Sequence, residues 1–242
     1  MSGYFVFDDF DTREHNLLLS GHKTFNSPAR KFNTYAVPGR NGAIIEDLRS
    51  FENIEITYEN AFFYYPQDFD REFDAVKSEL LSKAGYCRLE DSYHPDEYRL
   101  AVFSKGIEAT MNDRNDFAMF DLVFTAKPQR FLKNGEETIT YTSFTNQHIS
   151  NQESFDAFPL IRVYGNGTVG IGEYSFTTIN NAGNYIDIDC DIMDCRREAS
   201  NMNGNVTFTR HRFPVLKAHV QSGITATSGI SKIEITPRWY RL

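Results

Sequence analysis

Along most of the chain, apolar and polar positions alternate in short runs with a period of two, the signature of strands with one buried face. Asn53-Ile54-Glu55-Ile56-Thr57-Tyr58 and Tyr185-Ile186-Asp187-Ile188-Asp189-Cys190 show it most strictly. One stretch breaks the rule. From Gln67 to Ala84 the apolar residues Phe69, Phe73, Val76 and Leu80 stand at i, i+4, i+7 and i+11, a single stripe at helical period. Asp68 is placed to cap this helix, early acids suit the positive end of its dipole, and Gly85 offers a left-handed position to end it. One stripe covers one sheet face, so the helix is expected to lie as a lid on a β domain.

Strands are expected at Tyr4–Phe7, Leu17–Leu19, Tyr86–Glu90, Tyr98–Phe103 and within Phe120–Ala126, with a turn at Asp91–Asp96 and a polar loop at Ser27–Lys31. Thr34–Ile45 sets Pro38-Gly39 and Asn41-Gly42 between two β-prone runs, dense turn punctuation for a hairpin. Near Lys133 the composition shifts to Thr, Ser, Asn and Gln. We therefore expect two domains, residues 1–133 and 134–242. The second reads as an all-β sandwich with strands at Leu160–Tyr164, Thr168–Gly172, Tyr174–Ile179, Tyr185–Cys190, Val206–Thr209, Ile224–Thr227 and Lys232–Thr236, and a turn at Asn180–Asn184.

With 242 residues, 21 Phe and 13 Tyr, the chain has enough apolar and aromatic mass for packed β cores. Its net charge of −8 speaks against gripping nucleic acid or an anionic membrane, both of which need clustered Lys and Arg. The apolar run Ala61–Tyr65 stops at Pro66, well short of a membrane span. Acids at Asp8, Asp9, Asp11 and Glu14 occupy the place of a signal-peptide core. Cys87, Cys190 and Cys195 are odd in number and widely spaced, which predicts free thiols in a reducing cytosol.

Candidate chemistry is sparse. Asp187, Asp189, Asp191 and Asp194 would suit a hard cation, but the first three at spacing two are expected to form a solvated strand face. Cys190 and Cys195 with His211 and His219 have the wrong histidine spacing for zinc. Glu90, Asp91, Asp96 and Glu97 surround His94 in a turn, where acids collect without catalysis. No nucleophile elbow, P-loop, dinucleotide fingerprint or HExxH is present. The expectation is a non-enzyme with no catalytic, cofactor or metal residues. Trp239 and the tyrosines leave a sugar-stacking platform as an alternative for the second domain.

Three stretches together resemble the distal tail proteins of long, non-contractile-tailed bacteriophages: TYAVPGRNGAIIED (Thr34–Asp47), YCRLEDSYHPDEYRLAVF (Tyr86–Phe103) with the helix before it, and FDLVFTAKPQRFLKNGEE (Phe120–Glu137). FPLIRVYGNGTVGIG (Phe158–Gly172), YIDIDCD (Tyr185–Asp191) and FPVL (Phe213–Leu216) extend the likeness. One departure is visible: family members often have a Pro-Gly-Asn turn after the Phe-Pro pair, where this chain has Lys217–Gly223.

The resemblance implies an N-terminal β-sandwich with one α-helix and a projecting hairpin, then a galectin-like C-terminal β-sandwich. It implies a homohexameric ring in the virion, at the distal end of the tail, synthesised in the bacterial cytoplasm. Its partners would be the tail tube protein, the tail-associated tip protein and receptor-binding proteins. A closed ring needs heterologous contacts. The candidate ring-interface groups are Arg40, Arg88 and Arg99, pairing between subunits with Glu90, Asp91, Asp96 or Glu97. The alternatives are a carbohydrate-binding module that attaches the virion to host glycans and a cell-wall hydrolase.

Overall fold

The computed structural model describes residues 3–63, 68–112, 117–181 and 183–242. Gln67 at the expected helix start, Pro66 after the apolar run and Ala182 in the expected turn lie outside them. The chain forms two compact units: one runs to Arg130 and includes Leu242, and the other is Phe131–Arg241. The parting therefore falls a few residues before the composition shift at Lys133.

The first unit contains β1 (Phe5–Phe7), β2 (Phe10–Asp11), β3 (Leu17–Leu19), β4 (Arg30–Ala36), β5 (Ala43–Phe51) and β6 (Ile54–Phe63). After them come α1 (Phe69–Ser82), β7 (Cys87–Asp91), β8 (Glu97–Phe103), β9 (Thr110–Met111), β10 (Ala118–Ala126) and the start of β11 (Arg130–Leu132). Its main sheet runs in the order β2-β1-β7-β8-β10-β6-β3. The sheet curls strongly. In a flat sheet β1 and β10 would lie about 14 Å apart, yet the Phe5 and Phe124 rings are 5.3 Å apart and Phe5 stacks on Tyr58 of β6 at 5.0 Å. The curl brings Gly3 beside Leu19 on the far edge strand, where they exchange two backbone hydrogen bonds of 3.0 and 3.1 Å. Gly3 lies against the end of the Tyr93 ring, so a side chain there would push the Tyr93 hydroxyl aside.

Inside the curl sit Phe5, Phe7, Leu17, Leu19, Leu122 and Phe124, all essentially inaccessible. In β6 the inward set runs Ile54, Ile56, Tyr58 and then Ala61, Phe63. The step of three is a bulge: Asn60 adopts positive φ and its N–H donates to Asp121 Oδ1 at 2.9 Å. The helix closes the core as its stripe predicts. Val76 and Leu80 are fully buried, Phe69 packs on Phe63 and Phe73 on Phe120. Asp68 caps the helix, accepting from the Arg71 N–H at 3.1 Å. The helix ends earlier than expected: the cap is Lys83 in extended conformation, and Gly85, at φ +80°, turns the chain beyond it.

The second unit adds β12 (Ile139–Tyr141), β13 (Gln147–Ser150), β14 (Leu160–Gly165), β15 (Gly167–Ile171), β16 (Tyr174–Thr178) and β17 (Tyr185–Asp189). It ends with β18 (Asp194–Arg197), β19 (Ser200–Asn201), β20 (Val206–Phe208), β21 (Gln221–Ala226), β22 (Ile230–Thr236) and β23 (Tyr240–Arg241). One sheet runs β12-β22-β14-β17-β18-β19 and the other β13-β21-β15-β16-β20. Alternate residues Ile161, Val163, Ile186, Ile188, Ile233 and Ile235 of the first sheet meet Val169, Ile171, Phe176 and Ile224 of the second, which makes a β-sandwich. Trp239 packs against this core.

Candidate functional site

The feature without a folding purpose is the hairpin β4–β5. Among the described residues its strands pair only with each other, and every residue from Arg30 to Ser50 is exposed. The tip follows from sequence: the Arg40 N–H donates to the Val37 carbonyl at 3.2 Å with Gly39 at φ +75°, a type II turn with Pro38 at its first corner. Strand register sorts the side chains into two faces. Tyr35 lies opposite Ile44 and Asn33 opposite Glu46; on the other face Thr34 lies opposite Ile45 and Phe32 opposite Asp47. Both faces thus carry apolar groups in water, Ile45 at 67% exposure. Polar ties hold the register. Tyr35 and Asn33 both donate to Glu46 Oε2, at 2.7 and 3.2 Å, and Arg30 pairs with Asp47 at 2.8 Å. The Tyr35 hydroxyl, then the Asn33 amide, hold the Glu46 carboxyl below its usual range. Of this hairpin only Arg40 is expected from sequence at an interface; Phe32, Tyr35, Ile44, Ile45 and Leu48 are not. Their signal was available: neither strand has the clean one-sided alternation of a strand that covers a core. The expected loop at Ser27–Lys31 also fails at its end, because Arg30 and Lys31 already belong to β4.

The β7–β8 hairpin gathers the other charged candidates and ties most of them within the chain. Arg88 pairs with Glu90 and lies over the Tyr98 ring, 3.8 Å from its centroid. Asp91 accepts from the Tyr58 hydroxyl at 2.9 Å and from the His94 N–H at 2.7 Å. Burial first, then the Asp91 charge, push the Tyr58 phenol far above its ordinary value. Glu97 pairs with Arg130 at 3.3 Å, a partner the sequence reading did not name. Arg99 is buried, and desolvation, then the neighbouring Arg130 charge, lower its pKa. Of the seven candidates only Arg40 and Asp96 are exposed.

In the second unit the aspartate run is not a solvated face. Asp187 and Asp189 are both buried and each is held by two hydrogen bonds from a guanidinium. Arg162 reaches Asp187 at 2.6 and 2.9 Å, and Arg238 reaches Asp189 at 2.7 and 2.9 Å. Asp194 accepts from the Asn203 amide, and Asp191 is exposed. Among the described residues no group of three His, Cys, Asp or Glu is placed to hold a metal. His211 and His219 are exposed, while Cys190 and Cys195 are buried free thiols, that of Cys195 pushed up by burial to about 12. The tyrosine faces of the outer sheet carry cations: Lys232 sits 4.0 Å from the Tyr164 ring centroid and Arg162 4.2 Å from that of Tyr185.

No protein-family profile matches the chain, and no curated protein is similar to it. Solved structures are. The SPP1 Dit (gp 19.1) protein, described as a paradigm of hub adsorption apparatus in Gram-positive infecting phages, aligns over 99% of this chain and 99% of its own, with a TM-score of 0.73 at 13% identity. The chain has the Dit fold. A chain of the phage P2 baseplate in its activated conformation with calcium aligns over 97% of both chains, with a TM-score of 0.56 at 12% identity. The Dit fold therefore accounts for both units, including the hairpin that covers no core.

Proposed function

We propose that the protein is a structural component of a phage virion, the distal tail hub, which joins the tail tube to the baseplate or tail tip. Copies form a hexameric ring through their first units, and the second units present a platform for the tip protein and receptor-binding proteins. It catalyses no reaction. The observation that carries this reading is the β4–β5 hairpin. An isolated two-stranded hairpin is at best marginally stable in water, and this one exposes Phe32, Tyr35, Ile44 and Ile45 on its two faces. Apolar surface grouped in this way marks a protein contact, and the full-length likeness to a hub adsorption protein supplies its kind. Of the charged candidates, Arg40 at the hairpin tip and Asp96 in the β7–β8 turn are the groups we assign to inter-subunit pairing. Exposed as they are, each pair is worth roughly 0–1 kcal/mol, so the apolar residues dominate the contact.

The test is sedimentation of the chain mixed with its tail tube protein. Co-migration as one large species is expected. Independent migration at every ratio, with each protein natively folded, contradicts the proposal.

A further inference from the structure

The first unit holds a buried cation, Arg99, with no hydrogen-bonded counter-ion among the described residues. Arg99 is only 9% exposed, and a charged group so buried is ordinarily paired and hydrogen-bonded. Among the described residues nothing closes a hydrogen bond or an ion pair with it; Tyr58, Asp91 and Glu97 attract it only at longer range. Asp91 is engaged by Tyr58 and His94, and Glu97 by Arg130. Arg130 reinforces the anomaly. Its Nη1 pairs with Glu97 and its Nη2 donates to the Leu242 carbonyl at 3.1 Å, but its buried Nε–H has no acceptor among the described residues.

These two guanidiniums repel one another, and both line the same cavity. It measures about 240 Å³; Thr24, Ser27 and His94 add groups able to donate hydrogen bonds, the Asn26 amide already donates to the Glu55 carbonyl, and Phe25 and Leu242 complete the wall. The volume exceeds what one water needs. Positive charge concentrated in a low-dielectric recess, with donors unspent, is the chemistry that recognises an oxyanion, since guanidinium forks match the oxygens of phosphate and carboxylate.

We propose that this cavity is an oxyanion-binding site in which Arg99, with the Thr24 and Ser27 hydroxyls, grips a phosphate or carboxylate group. The anion is either free in solution or the acidic side chain of a second copy of this chain.

Two measurements on the full chain test this. First, inorganic phosphate is titrated into the unmodified protein in a calorimeter at constant ionic strength. One saturable site per chain is expected, and the absence of saturable heat overturns the proposal. Second, thermal unfolding is followed against phosphate for the unmodified chain and for Arg99→Met, which removes an unpaired charge at similar volume. The unmodified chain should gain about 3 to 5 °C for each tenfold of phosphate above its Kd. The variant should keep only the small, unsaturable rise that an excluded salt gives any protein. Equal, unsaturable curves for both contradict the site. Light scattering during the titration separates the sources. If a second copy supplies the carboxylate, phosphate dissociates the assembly and Arg99→Met does not form it. If the anion is free, phosphate binds with no change in mass.

Discussion

At the scale of single residues, the second unit is fixed by buried polar groups with both local and distant partners. Asn151 is buried, yet its amide donates to the Phe155 and Leu216 carbonyls, both at 2.9 Å, and its Oδ1 accepts from the Glu153 N–H. Asn151→Ala removes the partners of the Phe155 carbonyl and the Glu153 N–H, while the Leu216 carbonyl keeps the Ala157 N–H, and should cost about 1–3 kcal/mol by urea unfolding. Asp189 gives a signed prediction. Burial alone would raise its pKa, but the Arg238 hydrogen bonds and charge outweigh that and hold it below 3.8. Its stabilisation is therefore complete above that pH and is lost as pH falls below it. Arg238→Met leaves the carboxylate buried without a counter-charge, held only by backbone N–H groups such as that of Asp191 at 3.1 Å, at a cost of about 3–5 kcal/mol. It also reverses the sign, because an unpaired buried acid prefers its proton, so the variant should weaken as pH rises toward neutrality. A variant whose stability falls in acid like the parent contradicts this assignment. Alternation made Ile186 and Ile188 legible as core and the aspartates as outward. It could not show that arginines 25 and 49 residues away cover them, since that depends on strand order, which period alone does not encode.

At the scale of elements, legibility followed how one-sided each pattern was. The helix was readable because Phe69, Phe73, Val76 and Leu80 have a single face to satisfy. The β4–β5 turn was readable because Pro38-Gly39 permits little else. β12 and β13 were not, as their residues are mostly polar and exposed and show only Tyr141 and Ile149 to the core. The hairpin itself carries the element-scale prediction. Ile45→Asp changes an exposed side chain, so thermal stability of the isolated chain should move within about 0.5 kcal/mol. Self-association measured by sedimentation should be lost. A variant that assembles like the parent would remove the hairpin from the interface. The capping aspartate offers a contrasting case: Asp68→Ala should cost about 1 kcal/mol in chemical denaturation while leaving assembly intact.

At the scale of the whole molecule, two β units were foreseeable from the composition shift near Lys133 and from the density of turns. The likeness to tail proteins rested on motifs such as Thr34–Asp47 and Tyr86–Phe103, which lie in the two hairpins of the first unit. What the sequence hid was which parts of those motifs face water. Five of the seven charged candidates are half-buried or buried, because a curled sheet turns the β7–β8 hairpin back onto Tyr58 and Arg130. The apolar residues of the β4–β5 hairpin, Phe32, Tyr35, Ile44, Ile45 and Leu48, are exposed instead. In the proposed hub these exposed groups close a ring of six copies. The most direct test is absolute mass by light scattering over a wide concentration range, with negative-stain imaging of the same sample, repeated with tail tube protein present. A mass of six chains and a ring with a central hole are expected. A single-chain mass at every concentration, with and without tube protein, would contradict it.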